Sequence, residues 1–204
     1  MKLIFNDFEI IKRSGNIILS SPHCKRQFRE GKIKAKEIRT GTLVKKVSSK
    51  TRSSCIYRSK YAQNDPNYDK NSTYKSELVD FIKDNNIKLL IDVHGMRASR
   101  DVDICIGTDF GNNVLYNEKL VNLFETTFLK YGYKNVTIDD PFSATYPYTV
   151  SSYVSRTAHI PCIQVEINNK FTHSRFDTFD FDNLVKCFTE VVNKASCFLT
   201  ENAL

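Results

Sequence analysis

A histidine follows directly after an apolar segment of the chain, where its side chain is available for chemistry. Residues 89–93 read Leu-Leu-Ile-Asp-Val, and His94 comes next. A short aliphatic run of this kind is typical of a central strand covered on both faces. Ligands of open α/β sheets bind outside the carboxyl ends of the strands, so His94 is predicted to point into a site. Asp92 lies on the same side of the strand and can steady the imidazole. A histidine that only caps a turn is the alternative.

A second histidine has the same setting. Residues 17–20 predict another buried strand, Pro22 ends its ladder of hydrogen bonds, and His23 follows. Histidine is the commonest metal ligand in proteins. Two strands that each deliver a histidine to a sheet edge therefore favour a shared metal or catalytic site.

Two glutamates complete the candidate set. Glu37 is an isolated acid in a basic stretch. It is either a surface ion-pair partner or the third ligand of a zinc ion, because catalytic zinc commonly takes two histidines and a carboxylate and keeps one position for water. Asp65 is the next candidate for that ligand. Glu166 lies in a third apolar strand, and alternation turns it away from the faces of Val165 and Ile167. Burying a carboxylate there is costly unless it is paired or near a metal.

The elements that must position these residues alternate between strand and helix patterns. Strands are predicted within residues 3–11, 17–20, 54–57, 89–93, 101–108, 136–138 and 159–168, and helices within residues 31–49, 73–83, 114–131 and 181–198. This order favours parallel pairing. We predict a single α/β domain over residues 1–204, with a mixed, mostly parallel central sheet flanked by helices. Residues 141–153 are rich in aromatic and hydroxyl side chains, which fit either a pocket wall or a loop that covers the core.

Composition narrows the function classes. The 204 residues are 41% hydrophobic, which is enough for a sizeable core, and the six cysteines form no CxxC pair. With no apolar stretch long enough for a signal peptide or a membrane span, we predict a cytoplasmic protein with free thiols that has no membrane contact.

Residues 1–60 hold sixteen Lys and Arg against four Asp and Glu, which gives them a net charge of +12. Because the net charge of the whole chain is +7, residues 61–204 carry a net charge of −5. Such a basic region attracts an anionic substrate or nucleic acid, or is simply solvated surface.

Five short motifs in order resemble those of the N-formylglutamate amidohydrolase family. They are Ser20-Ser21-Pro22-His23, Glu37-Ile38-Arg39-Thr40-Gly41, Asp65-Pro66-Asn67, Ile91-Asp92-Val93-His94-Gly95 and Gln164-Val165-Glu166-Ile167-Asn168. The family is similar in fold to the zinc carboxypeptidases, with their phosphorylase/hydrolase-like architecture. The resemblance extends from about residue 17 to residue 170.

The resemblance implies a zinc amidohydrolase that acts on a small substrate with a carboxylate. It implies His23 and His94 as zinc ligands, Glu37 as the carboxylate ligand, Glu166 as the general acid/base and Asn67 as a substrate-binding residue. The family usually has arginines where this chain has Tyr68 and Asn169, and their loss puts formylglutamate itself in doubt. The arginines that could replace them are Arg58, Arg97, Arg100 and Arg156.

The chemistry of the residues agrees with this expectation. Zinc acidifies a bound water and polarises a carbonyl, and a nearby glutamate can move the proton. No GxSxG elbow and no phosphate-binding glycine loop occurs in the sequence. The leading hypothesis is a zinc-dependent hydrolase of the amide bond of an N-acyl amino acid or a related small amide. The alternatives are a zinc carboxypeptidase-like peptidase and, from another class, a basic nucleic-acid-binding or non-catalytic binding module. Nucleic acid is the less favoured partner, because no basic run is interleaved with aromatic residues.

Overall fold

The computed structural model describes residues 1–173 and 178–201. The strands are β1 (Lys2–Ile4), β2 (Phe8–Ile11), β3 (Ile17–Ser21), β4 (Gln27–Arg29), β5 (Lys32–Lys34), β6 (Ser54–Arg58), β7 (Leu89–Met96), β8 (Ile104–Gly107), β9 (Val136–Ile138) and β10 (Cys162–Asn168). The α-helices are α1 (Thr40–Thr51), α2 (Thr73–Asp84), α3 (Glu118–Lys130), α4 (Val150–Ala158) and α5 (Thr178–Glu201).

Eight strands form one mixed sheet in the order β1-β2-β6-β3-β7-β10-β8-β9. The four central strands, from β6 to β10, are parallel to one another, and antiparallel pairs occur where β2 meets β6, where β1 meets β2 and where β8 meets β10. The predicted mixed, mostly parallel sheet is therefore confirmed. Because the central strands run the same way, their carboxyl ends meet at one edge.

Helices cover both faces of the sheet, which explains why its central strands read as continuous apolar runs. Helices α1, α3 and α5 pack on the face that carries Leu89, Ile91 and Val93. Helices α2 and α4 pack on the opposite face, which carries Leu90. The hydrophobic core therefore has two parts, one on each side of the sheet.

Two elements were missed by the sequence patterns. Strands β4 and β5 form a separate two-stranded hairpin, where only a loop was expected before α1. Its turn, Glu30-Gly31, has φ values of 51° and 75°, as the tight hairpin turns with two left-handed residues require. Helix α4 begins at Val150, within the aromatic stretch at residues 141–153. Thr149 is its N-cap and accepts a hydrogen bond from the Ser152 amide.

None of the helices within the described ranges combines the length and apolarity needed to cross a membrane. All six cysteines are free.

Candidate active site

Two parallel neighbours in the sheet, β7 and β10, place His94 and Glu166 side by side. The two residues are register partners, as are Asp92 and Gln164 two positions earlier. Alternation along each strand sends Val93 and Val165 into the core under α1, α3 and α5, so the polar set faces the side of α2 and α4. Both strands therefore deliver polar side chains to the same face at the carboxyl edge.

His23 and Glu37 reach this edge from a loop excursion between β3 and α1. The Glu37 amide donates to the His23 carbonyl at 2.9 Å, which closes the base of the excursion. Glu37 Oε2 accepts from the Gly95 amide at 3.0 Å. A Cβ on Gly95 would lie 3.0 Å from Asn169 Oδ1 and 3.5 Å from the Glu37 Cβ, so a glycine lets the glutamate approach the end of β7.

The side chains of His23, Glu37 and His94 converge. Their candidate ligand atoms all lie within 4.8 Å of one another. Glu37 Oε1 is 2.9 Å from His23 Nδ1 and 3.3 Å from His94 Nδ1. The imidazole rings meet edge to face with their centroids 4.9 Å apart. The three atoms thus form a compact set of two imidazole nitrogens and one carboxylate oxygen.

An aspartate contacts the outer nitrogen of each histidine. His23 Nε2 lies 2.7 Å from Asp65 Oδ1, and His94 Nε2 lies 3.0 Å from Asp92 Oδ2. A carboxylate at Nε2 holds the proton there and leaves Nδ1 free to bind a cation, which is the usual support of metal-binding histidines. Asp65, the reserve candidate for the third ligand, orients His23 instead. The donor set fits zinc, which takes two histidines and one carboxylate in many catalytic sites.

The local charges shift the pKa values in this cluster. Burial would raise the pKa of Glu37, but the nearby charges of His94 and His23 outweigh burial and lower the pKa to about 2. Burial would lower the pKa of His94, but Asp92 and Glu37 raise it well above its ordinary value. Without a cation, these shifts favour the charged carboxylate and protonated imidazoles, so a metal competes with protons for the cluster.

Glu166 differs from the other carboxylates, because burial raises its pKa to about 7 despite the opposing charge of His94. Its side chain accepts a hydrogen bond from Gln164 Nε2 at 3.3 Å. A carboxyl group with a pKa near neutrality can both accept and return a proton under physiological conditions.

The cluster opens onto a cavity of about 400 Å³. Glu166, Gln164, His23 and His94 form its polar wall. Gln164 Oε1 is buried and has no hydrogen-bond partner among the described residues. An orphaned acceptor in a cavity wall is available to an N–H group of a ligand.

Asn67, predicted to contact the substrate, lines this cavity, but the four predicted arginines do not. Arg58 is buried and bonded to Asp7 and Asn64. Arg97 is exposed outside the cavity, and the guanidinium of Arg100 lies over the Phe142 ring, 4.8 Å from its centroid. Arg156 donates to the Pro147 carbonyl. None of the four is therefore among the residues that line this cavity, and a role for any of them in substrate binding stays a prediction.

Arg29 and Lys34 supply the cationic side chains of the cavity wall. They lie on the missed hairpin, one on each strand. The Arg29 guanidinium covers the Tyr68 ring at 4.4 Å and lies 3.7 Å from Asp65 Oδ2. Tyr68 in turn stacks on Tyr146, with 5.8 Å between the ring centroids. The one clue in the sequence was Glu30-Gly31 between two short stretches of charged and apolar residues, which is a weak hairpin pattern.

A buried lysine joins two loops that line the cavity. Lys75 is 1% exposed, and its Nζ donates to the carbonyls of Asp69 and Tyr148, each at 2.7 Å. Burial lowers the pKa of Lys75 to about 8. The two loops, which contain Tyr68 and Tyr146, are therefore held together by one ammonium group.

The raised pKa of Glu166 predicts a pH-dependent stability difference in the metal-free protein. Below pH 4.5 the carboxyl is protonated in both folded and unfolded chains. As pH rises to about 7, the unfolded chain releases this proton while the folded chain keeps it, so the parent loses stability. The free energy of unfolding of Glu166→Gln, relative to that of the parent, should therefore rise by about 3 kcal/mol between pH 4.5 and pH 8. Denaturant unfolding with a chelator measures this difference, and a value that stays constant with pH would contradict the shift.

The comparisons with known proteins agree with this architecture. Residues 73–172 match the family model described as N-formylglutamate amidohydrolase. The predicted resemblance to that family is thereby confirmed over these residues. No curated protein sequence matches the chain.

Solved structures share the fold at low sequence identity. N-formylglutamate amidohydrolase from Ralstonia eutropha JMP134 superposes with a TM-score of 0.75 at 12% identity, covering 98% of this chain and 100% of that one. A bacteriophage poly-gamma-glutamate hydrolase gives a TM-score of 0.61 at 17% identity, with 98% and 92% covered. A metallo-carboxypeptidase from Pseudomonas aeruginosa gives 0.56 at 10% identity, with 95% and 60% covered. The family match and the shared fold support a hydrolase that acts on amide bonds.

Proposed function

We propose that this chain, with its N-formylglutamate amidohydrolase-like region at residues 73–172, is a zinc-dependent hydrolase of an amide bond in a carboxylate-bearing N-acyl amino acid or a related γ-glutamyl amide. The observation that carries the proposal is the convergence of His23, Glu37 and His94 next to a cavity whose wall contains His23, His94 and Glu166.

The three converging residues would hold the metal, with Asp65 and Asp92 orienting the two imidazoles. When bound, zinc supplies a Lewis acid that polarises the scissile carbonyl and lowers the pKa of a water molecule. The two histidines and the two aspartates are buried and Glu37 is half-buried, which limits contact with bulk water and strengthens the electrostatic interactions within the set.

Glu166 is the proposed proton carrier. It takes a proton from the attacking water and delivers it to the leaving nitrogen, so that the amide and water become a carboxylic acid and an amine. The raised pKa suits both directions of transfer. Gln164 Oε1 can accept a hydrogen bond from the substrate N–H and thereby orient the scissile amide.

The cationic wall of the cavity supports a substrate with a carboxylate. Arg29, whose guanidinium also contacts Glu30 and Asp65, supplies a permanent positive charge and Lys34 supplies a second one. The shared fold with a poly-gamma-glutamate hydrolase supports including γ-glutamyl amides among the substrates. We propose a cytoplasmic location on the support of the six unpaired cysteines.

A metal assay with a substrate panel tests this function. The purified protein should contain about one zinc ion per chain, and it should hydrolyse an N-acyl glutamate or a γ-glutamyl amide faster than an α-dipeptide. Faster cleavage of C-terminal residues from ordinary peptides would favour a carboxypeptidase-like peptidase instead. Absence of both zinc and metal-dependent hydrolysis would overturn the proposal.

Arg29→Gln should raise KM for a carboxylate substrate about 10- to 100-fold, because a charge-assisted hydrogen bond contributes about 1.5–3 kcal/mol. Steady-state kinetics on the panel measures the effect. Arg26→Gln is the matched control, because Arg26 is exposed and does not line the cavity. If the double variant of Arg29 and Lys34 keeps the parental KM, the carboxylate is bound elsewhere.

A further inference from the structure

A second cleft, of about 560 Å³, adjoins the candidate active site at Glu37. We call it the basic cleft, because its lining includes the cationic residues Lys2, Lys25, Lys36, Arg39, Lys45 and Arg58. Among the described residues that line it, the acidic ones are Glu9 and Glu37. Much of the positive charge of residues 1–60 is therefore gathered in one concave surface.

The two acids of the basic cleft are already engaged. Glu9 lies 2.9 Å from Lys2 and accepts a hydrogen bond from Tyr57, and Glu37 contacts both histidines. In contrast, Lys25, Lys36 and Lys45 form no ion pair with a carboxylate of residues 1–173 or 178–201. Their charges remain available to a ligand.

Two further features of the lining favour an anion. Helix α1 begins in the cleft with no acidic residue in its first turn and no side-chain cap from Arg39, so the positive end of its dipole lies at the cleft. Arg58 is 1% exposed, and its Nε has no hydrogen-bond partner in the described part of the chain. A buried guanidinium N–H without an acceptor is the kind of group that a bound carboxylate satisfies.

The basic cleft and the catalytic cavity are adjacent along the chain as well as in space. Lys34 lines the cavity, whereas Lys36 and Glu37 line the cleft. One anionic chain can therefore place its scissile bond at the metal site and further negative groups beyond Glu37. Such a substrate gains affinity from several contacts at once.

We propose that the basic cleft binds the continuation of a polycarboxylate substrate, such as a γ-linked glutamate chain, while one amide of that chain occupies the catalytic cavity. This inference rests on the proposed function and extends it from a small amide to an oligomer. Nucleic acid fits the cleft less well, since Tyr57, the aromatic residue among the described lining, is covered by Lys45, whose Nζ lies 4.9 Å from the ring centroid. A covered ring cannot stack on a base.

Binding of a fluorescently labelled γ-linked decaglutamate tests the proposal. Full-length protein carrying Glu166→Gln is used so that the chain is not consumed. The triple change Lys25→Gln, Lys36→Gln and Lys45→Gln should weaken binding about tenfold or more. The matched control changes Lys83, Lys119 and Lys186 to Gln, removing the same charge from exposed positions outside both sites. The control should change binding less than about twofold, and rising salt should weaken binding to the protein with an intact cleft.

Three results would overturn the proposal. They are parental binding in the triple variant, equal losses in the triple variant and the control, and tighter binding of single-stranded DNA than of decaglutamate at equal charge. If circular dichroism shows that the triple variant is unfolded, binding is measured instead with the single variants Lys36→Gln and Lys45→Gln. Each of these should weaken binding about threefold. Because binding is measured without turnover, it tests only the proposed role of the cleft. The metal and substrate assays test the proposed hydrolase activity separately.

Discussion

Glu166→Gln should keep its zinc and lose turnover by about 10²–10⁴-fold, the range typical of a lost general base. Glutamine has the size of glutamate and keeps the hydrogen bond with Gln164, but it cannot accept a proton. The variant should therefore fold like the parent and bind substrate with little change in KM. Metal analysis and steady-state kinetics on the same preparation measure both properties.

The matched comparison is Glu118→Gln, an exposed residue in the first turn of α3 that lines neither the catalytic cavity nor the basic cleft. It should leave kcat unchanged. Parental activity in Glu166→Gln would remove this residue from the mechanism. Loss of zinc with activity would make Glu166 a ligand and leave the base unidentified.

His94→Ala is expected to lose metal and activity together. The imidazole is 1% exposed and offers Nδ1 to the cluster, so its removal takes away one of three protein ligands and leaves the buried Asp92 without its partner. Ligand loss and metal loss are coupled, because the binding free energy depends on the complete set. Equilibrium dialysis against buffered zinc, followed by activity measurements, should show both losses in the same variant.

His159→Ala provides the control for this change. His159 is exposed at the end of α4, and it lies outside the cavity. Its variant should keep one zinc ion and full activity. Full zinc occupancy in His94→Ala would contradict the proposed ligand set, whereas zinc retention with weakened affinity in Asp92→Asn would agree with a supporting role for that carboxylate.

The sheet could be predicted from sequence because its central strands are buried on both faces. That environment requires uninterrupted aliphatic runs such as residues 89–93, and those runs are visible without a structure. The β4–β5 hairpin could not be predicted in the same way. It is a short polar ribbon with exposed residues, so no burial pattern records it.

In the candidate site, too, the residues that follow buried strands could be predicted and those on the exposed hairpin could not. His94 and Glu166 were predictable because each lies at the carboxyl end of a buried strand, where a polar residue stands out. The substrate-facing cations were not, since Arg29 and Lys34 resemble any other surface charge until the hairpin folds over the cavity. Arg58 was one of four candidate arginines, and the sequence could not show that it is hydrogen-bonded to Asp7 and Asn64 and lines the neighbouring cleft.

The closed base of the excursion between His23 and Glu37 fixes both ends of the segment that carries the hairpin. The Glu37 amide and the His23 carbonyl hold the ends of residues 24–36 together, and the hairpin with Arg29 and Lys34 lies entirely inside that segment. A surface segment with fixed ends tolerates changes in length and composition at small entropic cost. The start of the hairpin is also held from outside, because the backbones of Arg26 and Phe28 pair with Ala62 and the Arg29 guanidinium lies 3.7 Å from Asp65 Oδ2. Changes confined to the turn at Glu30-Gly31 would therefore alter the entrance of the cavity while the proposed metal ligands keep their places.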